Sequence, residues 1–276
     1  MQIGGHDIGV CSWSLRPKSM ADVVAGVRSV GLSHVQLALA PLVALDETRR
    51  QSELATLGQS GLTVIATMMS FDGEDYSTIA SIHQTGGYLA DDTWPLRRDL
   101  TAAAAKLSAQ LGVKLLTTHI GFVPAKGDAG YVMMLGRIRE VAAVLAREGV
   151  TLSLETGQEK AAVLRAFLED LQVENVAVNF DPANMILYGA GDPIEAIGVL
   201  AKFIRSVHVK DGTASGKPGE EWGAEVPFGS GQVGPERFFG ALDQIGYRGP
   251  LAIEREAGEQ RAEDVRAAIE VLKATL

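Results

Sequence analysis

Eight short stretches of the chain combine branched apolar residues with few charges: Gly9–Ser14, His34–Leu39, Thr63–Ser70, Lys114–Gly121, Thr151–Gly157, Val176–Asp181, Ile204–Lys210 and Pro250–Glu256. Each is too short for a helix and too continuously apolar for a strand with one wet face, so each reads as a strand buried on both sides. Between them the apolar spacing turns helical. In Asp99–Leu111, for instance, Leu100, Ala103, Ala104, Leu107 and Leu111 fall on one stripe, as a crossover helix requires. Helix ends are also marked. Asp192-Pro193-Ile194-Glu195 supplies a cap, a proline at the first helical position and a glutamate three residues after the cap; Gly234-Pro235-Glu236 opens another helix that Gly246 closes.

Eight strand–helix alternations with right-handed crossovers predict an α/β chain closed into a (β/α)8 TIM barrel, in preference to a doubly wound open sheet. No linker, charge block or low-complexity tract divides the sequence, so residues 1–276 are expected to form a single domain. Two connections exceed what a crossover needs, Phe71–Arg98 and Asp211–Gly234. Both follow the C-terminal ends of strands, where barrel active sites lie, and both are predicted lids.

Composition narrows the classes further. Of 276 residues 46% are hydrophobic, too many for a disordered chain, and 34 acidic against 25 basic side chains give a net charge of −9. A chain this acidic gains little from counterion release along a phosphate backbone, so no nucleic-acid partner is expected. The one cysteine, Cys11, permits no intrachain disulfide and suits a reducing compartment. There is no run of about 18 apolar residues to span a bilayer, and Met1–Asp7 lacks the basic and apolar regions of a signal peptide. The expectation is a soluble cytoplasmic protein with no membrane partner.

Chemistry gathers at the strand ends. The fifth strand finishes in Glu155, the sixth in Asp181, the seventh in His208 and the eighth in Glu254. In a barrel, neighbouring strand ends aim side chains at one mouth, so these four converge. Three carboxylates facing one another in a partly dry cavity repel strongly, and a divalent cation resolves the conflict. Three oxygen donors and one nitrogen suit Mn²⁺, Mg²⁺, Co²⁺ or Zn²⁺, with Mn²⁺ placed first.

Taken together, Leu154-Glu155-Thr156-Gly157-Gln158-Glu159, Phe180-Asp181-Pro182-Ala183-Asn184, His208-Val209-Lys210-Asp211, Pro227-Phe228-Gly229-Ser230-Gly231 and Gly249-Pro250-Leu251-Ala252-Ile253-Glu254 resemble, in order and strand placement, the xylose isomerase-like TIM-barrel superfamily. That superfamily contains sugar and sugar phosphate isomerases and epimerases and an apurinic/apyrimidinic endonuclease branch. The resemblance implies that Glu155 and Glu254 bind the metal and act as acid and base on opposite faces of the sugar, with Asp181 and His208 completing the metal site. It implies proton transfer next to a carbonyl through an enediolate held at the metal. The multi-metal endonuclease pattern is mostly absent: the third strand ends Ala66-Thr67-Met68-Met69-Ser70 without a histidine, Asn184 stands where one is expected, and Gly223 and Glu225 fill two further ligand positions.

A second tier of residues is expected at the substrate. His119 ends the fourth strand; Gln158 follows Glu155 in the next loop; Asn184 replaces the histidine of the ketose-epimerase pattern; Lys210 shares a strand face with His208; and Trp13 offers an indole to a sugar's C–H face. Glu256 is the rival to Glu254 as ligand. Gly229-Ser230-Gly231-Gln232-Val233-Gly234 matches a dinucleotide string in the wrong context, before the last helix instead of after the first strand, although a barrel can receive a phosphate there. Whether the substrate is phosphorylated therefore stays open. The leading expectation is a metal-dependent sugar isomerase or epimerase. A metal-dependent dehydratase of a keto-inositol or keto-sugar and a non-catalytic sugar-binding barrel are the alternatives. By analogy with other barrels a homodimer or homotetramer is expected.

Overall fold

A computed structural model describes the whole chain, Met1–Leu276. Its eight barrel strands are β1 (His6–Cys11), β2 (His34–Ala38), β3 (Thr63–Met68), β4 (Leu115–Thr118), β5 (Thr151–Glu155), β6 (Val176–Phe180), β7 (Ile204–Val209) and β8 (Leu251–Ile253). All pair in parallel with their sequence neighbours, and β8 also pairs with β1, so the sheet closes into the (β/α)8 barrel. A two-residue strand, Gln2–Ile3, folds back antiparallel on β1. No helix is long and apolar enough to cross a membrane.

Strand parity decides what faces where. Leu152, Leu154, Val178, Phe180, Val207, Val209 and Ile253 belong to the apolar core between sheet and outer helices. The alternate positions Ser153, Glu155, Asn179, Asp181, Ser206, His208 and Glu254 are buried polar residues outside that core, directed at the barrel axis. Each of these four strands, β5 to β8, thus carries a hydrophobic face outward and a small or polar face inward, and the inward face ends in chemistry.

Several boundaries differ from expectation, the fourth and eighth strands stopping at Thr118 and Ile253, each three residues early. The first strand ends at Cys11, three residues early, because Ser12–Leu15 winds into a 3₁₀ turn. There the Ser12 hydroxyl accepts the Ala38 N–H at 3.0 Å and the Ser14 hydroxyl accepts the Arg255 N–H at 2.9 Å, replacing ladder bonds with side-chain ones. The helix expected from Asp99 begins at Trp94, with Pro95 in its first turn. The long connections carry structure of their own: a helix, Ile79–Thr85, in the first, and a hairpin, Asp211–Thr213 with Ala224–Val226, in the second. The expected caps form, with Asp192 accepting the Ile194 N–H at 2.7 Å and Gly234 preceding the helix Pro235–Gln244.

Candidate metal and substrate site

At the C-terminal mouth, one ligating atom from each of Glu155, Asp181, His208 and Glu254 lies within 4.8 Å of all the others. His208 Nδ1 is the hub, 3.2 Å from Glu155 Oε1, 3.4 Å from Asp181 Oδ2 and 3.2 Å from Glu254 Oε2. All four residues are buried, and Glu155 Oε2, Asp181 Oδ2 and His208 Nδ1 each lack a hydrogen-bond partner. Buried acceptors without partners cost free energy, and several anions converging on one point cost more. This donor set fits a divalent cation, which would satisfy all of them at once.

Each ligand is oriented by a second contact. His208 Nε2 lies 2.8 Å from Gln36 Oε1 across the barrel, an acceptor that would hold a proton on Nε2 and leave Nδ1 free to bind an ion among the carboxylates. Asp181 uses Oδ1 to accept the Asn184 N–H at 2.9 Å, capping the short helix Pro182–Leu187, and so leaves Oδ2 for the centre. Its backbone is pinned by Thr156, whose hydroxyl donates to the Asp181 carbonyl and accepts the Asp181 N–H. Glu155 Oε1 accepts from Asn184 Nδ2 at 3.1 Å, and Glu254 Oε1 accepts from Trp13 Nε1 at 2.6 Å.

The electrostatics follow from these neighbours. Burial alone would raise every carboxyl here, and it pushes Asp181 up to about 6 against the pull of Lys210 and His208. Burial opposes ionisation of Glu155 too, but His119 and His208 hold it below its ordinary value. For Glu254 burial is outweighed by Lys210 and His208, and the group lies well below the usual carboxylate range. Cys11 touches His208 Nε2 at 3.7 Å, yet burial raises its thiol to about 12, so it stays protonated.

The second tier surrounds this centre. His119 Nε2 is 3.5 Å from Glu155 Oε2, with Nδ1 unpartnered. Lys210 is buried, 2.8 Å from Glu254 Oε2, 2.8 Å from Glu256 Oε2 and 3.4 Å from Asn184 Oδ1. Gln158 is buried with a free Nε2. Glu256 falls outside the quartet: its side chain is 51% exposed and binds Lys210. A cavity of about 390 Å³ opens beside the carboxylates, between His119, Asn184, Lys210 and the rings of Tyr76, Tyr188 and Trp222. Tyr76 comes from the first long connection and Trp222 from the second, so both expected lids reach the mouth.

Sequence reasoning missed Gln36, Thr156 and these rings. Gln36 did leave a signal, an amide inside the otherwise apolar run His34-Val35-Gln36-Leu37-Ala38. The rings lie in connections whose hydrophobic pattern has no period, so nothing in the chain placed them.

Residues 24–275 match the family model of the xylose isomerase-like TIM barrel. The chain belongs to this family. Among solved structures, a xylose isomerase domain protein from Planctomyces limnophilus superposes on this xylose isomerase-like barrel with a TM-score of 0.90 at 32% identity, covering 98% of this chain and 97% of the other. A xylose isomerase-like TIM-barrel protein from Mycobacterium smegmatis, solved in complex with magnesium, gives 0.74 at 17% identity over 98% and 97%. D-allulose 3-epimerase from Methylomonas gives 0.72 at 17% identity over the full length of both chains. The latter two share the fold of this family member at an identity that carries the fold alone. No curated protein sequence matches it.

Proposed function

We propose that this protein is a cytoplasmic, divalent-metal-dependent sugar isomerase or epimerase, with Glu155, Asp181, His208 and Glu254 as the metal ligands. The observation that carries this reading is the set of four buried residues, each offering a ligating atom within 4.8 Å of the others at the barrel mouth, with Asp181 Oδ2 and His208 Nδ1 left without hydrogen-bond partners. Mn²⁺ is the first choice of ion; the magnesium complex of the Mycobacterium smegmatis relative supports Mg²⁺ as an alternative, and Co²⁺ and Zn²⁺ suit the same donors. When bound, the ion would polarise a ketose carbonyl and the neighbouring hydroxyl, making the adjacent C–H acidic.

The protein's own groups do the rest. Glu155 and Glu254 flank His208 and reach the centre from strands β5 and β8. Lys210 and Trp13 keep Glu254 ionised and oriented, ready to take a proton from the carbon beside the carbonyl. Glu155, held by Asn184 and beside His119, stands where it can return a proton to the opposite face of the same carbon, or to its neighbour. The first outcome is epimerisation and the second isomerisation; reversal exchanges the roles. His119, Gln158, Asn184, Lys210 and Trp13 form the proposed substrate contacts, and a homo-oligomer, dimer or tetramer, is the proposed assembly.

The test uses untagged protein, elemental analysis and a panel of ketoses and keto-inositols in D₂O followed by NMR. Deuterium should enter one C–H position, stop after EDTA treatment and return with Mn²⁺. Full activity in a verified metal-free sample overturns the metal assignment. An enone or dione product would make the protein a dehydratase, and tight binding without exchange would make it a sugar-binding barrel.

A further inference from the structure

Resting on the sugar reading above, we propose that the substrate is an uncharged polyhydroxy carbonyl compound, a sugar or cyclitol without phosphate, and that the mouth of the barrel is built to turn phosphate esters away. Two separate features support this. One concerns the place where a barrel could grip a phosphate, and the other the charge lining the cavity.

The glycine-rich loop before the helix Pro235–Gln244 does point its backbone N–H groups at a single spot, but a carboxylate of the chain itself fills it. Asp211 Oδ1 accepts the N–H of Gly212 at 2.8 Å and of Val233 at 3.1 Å, while Oδ2 accepts those of Gly229 and Gly231, each at 3.0 Å. Gly231 is glycine because a Cβ there would collide with that carboxylate. Four donors of the kind that cradle a phosphate are therefore already used by an anion that cannot leave.

The cavity offers a phosphate no replacement. Lys210 is the one lysine or arginine lining it. Besides Glu254 and Glu256, Asp181 Oδ2 at 3.9 Å and Glu225 Oε2 at 3.8 Å surround its ammonium, so its charge is committed. Arg255, behind the Glu225 wall, is spent on Glu225 Oε1 at 2.7 Å and Asp264 Oδ2 at 2.8 Å. An incoming phosphate dianion would meet Glu225 and Glu256 in the cavity wall, with no lysine or arginine of the lining left free to offset them.

A neutral polyol finds a better fit. Trp222 Nε1 and His119 Nδ1 are buried without partners, and both residues line the cavity. They can serve hydroxyl groups, and the rings of Tyr76, Tyr188 and Trp222 can cover C–H faces.

Calorimetry on Mn²⁺-loaded protein with D-fructose and D-allulose, each against its 6-phosphate, tests this without requiring turnover. The phosphate esters should bind about tenfold or more weakly than the free ketoses, and inorganic phosphate should not compete. Glu256→Gln, which removes one wall carboxylate and frees Lys210, should narrow the gap; Glu256 is half-exposed and its side chain bonds only Lys210, so the fold tolerates the change. Equal or tighter binding of a phosphate ester, competition by inorganic phosphate, or binding of neither form overturns the proposal. Deuterium exchange on the same samples separates the two claims. Discrimination without exchange removes the catalytic reading alone, whereas exchange confined to the phosphate esters removes this inference alone.

Discussion

His208 and Gln36, from strands on opposite sides of the barrel, meet at 2.8 Å through Nε2 and Oε1, while the other imidazole nitrogen faces three carboxylates. An acceptor on Nε2–H fixes ring orientation and tautomer and raises the basicity of Nδ1. Losing such a partner typically lowers metal affinity or activity about 10- to 100-fold. Gln36→Leu should therefore weaken Mn²⁺ binding by about that factor, measured by calorimetry, while Gln36→Glu, which keeps an acceptor at the position, should retain more of it. Unchanged affinity in Gln36→Leu would remove the positioning role.

Trp13 holds Glu254 by a 2.6 Å hydrogen bond from its indole N–H. Hydrogen bonds to charged groups contribute about 1.5–3 kcal/mol, or about tenfold and upward in rate if the geometry of a base depends on them. Trp13→Phe keeps an aromatic ring and deletes the donor. Its kcat should fall by about tenfold or more with bound metal unchanged; a rise in KM alone would assign Trp13 to substrate stacking instead.

The barrel was legible because its strands advertise themselves. Val176–Asp181 and Ile204–Lys210 are short, apolar and bounded, and the residues that break the pattern, Asp181 and His208, do so at their ends. Strand parity carried the quartet, since period two fixes which face a residue takes once the strand is located. Contacts between distant segments were not legible. Gln36 reaches His208 only through barrel closure, and Trp222 reaches Tyr188, ring centroids 4.5 Å apart, only through the path of a hairpin. Asp211 is the clearest case: its partners are four backbone groups of which three lie about twenty residues away, and nothing beside it in the chain marks them.

Glu159 supplies a pH signature independent of the metal. Burial raises its carboxyl to about 7, although the Val123 N–H, which it accepts at 2.8 Å, pulls the other way. A carboxyl with a higher pKa folded than unfolded binds more protons in the folded state. Its penalty is absent below about 4.5, grows as pH rises toward 7 and is complete above that. Glu159→Gln, which keeps an acceptor for Val123, should be stabilised relative to wild type by about 1–3 kcal/mol at pH 8 and near neutral at pH 4.5. Paired denaturant melts at the two pH values check the sign, and a larger effect at the lower pH would reverse it.

Glu155 and Glu254 sit in different surroundings, which makes their roles separable. Asn184 and His119 attend the first, Trp13 and Lys210 the second, and each has an oxygen toward the shared centre. If one takes the proton and the other returns it, replacing either carboxylate by an amide stops net interconversion but spares one half-reaction. Glu155→Gln and Glu254→Gln should each lower interconversion by about 10²- to 10⁴-fold, the usual worth of one acid–base group. Each variant should still exchange deuterium into only that epimer whose C–H faces the surviving glutamate, so the two variants should label opposite epimers. Metal content is measured alongside, because both glutamates are proposed ligands and a lost ion would stop both exchanges together. If both variants, metal-loaded, exchange the same epimer, the two-carboxylate mechanism fails and a single residue carries the proton in both directions.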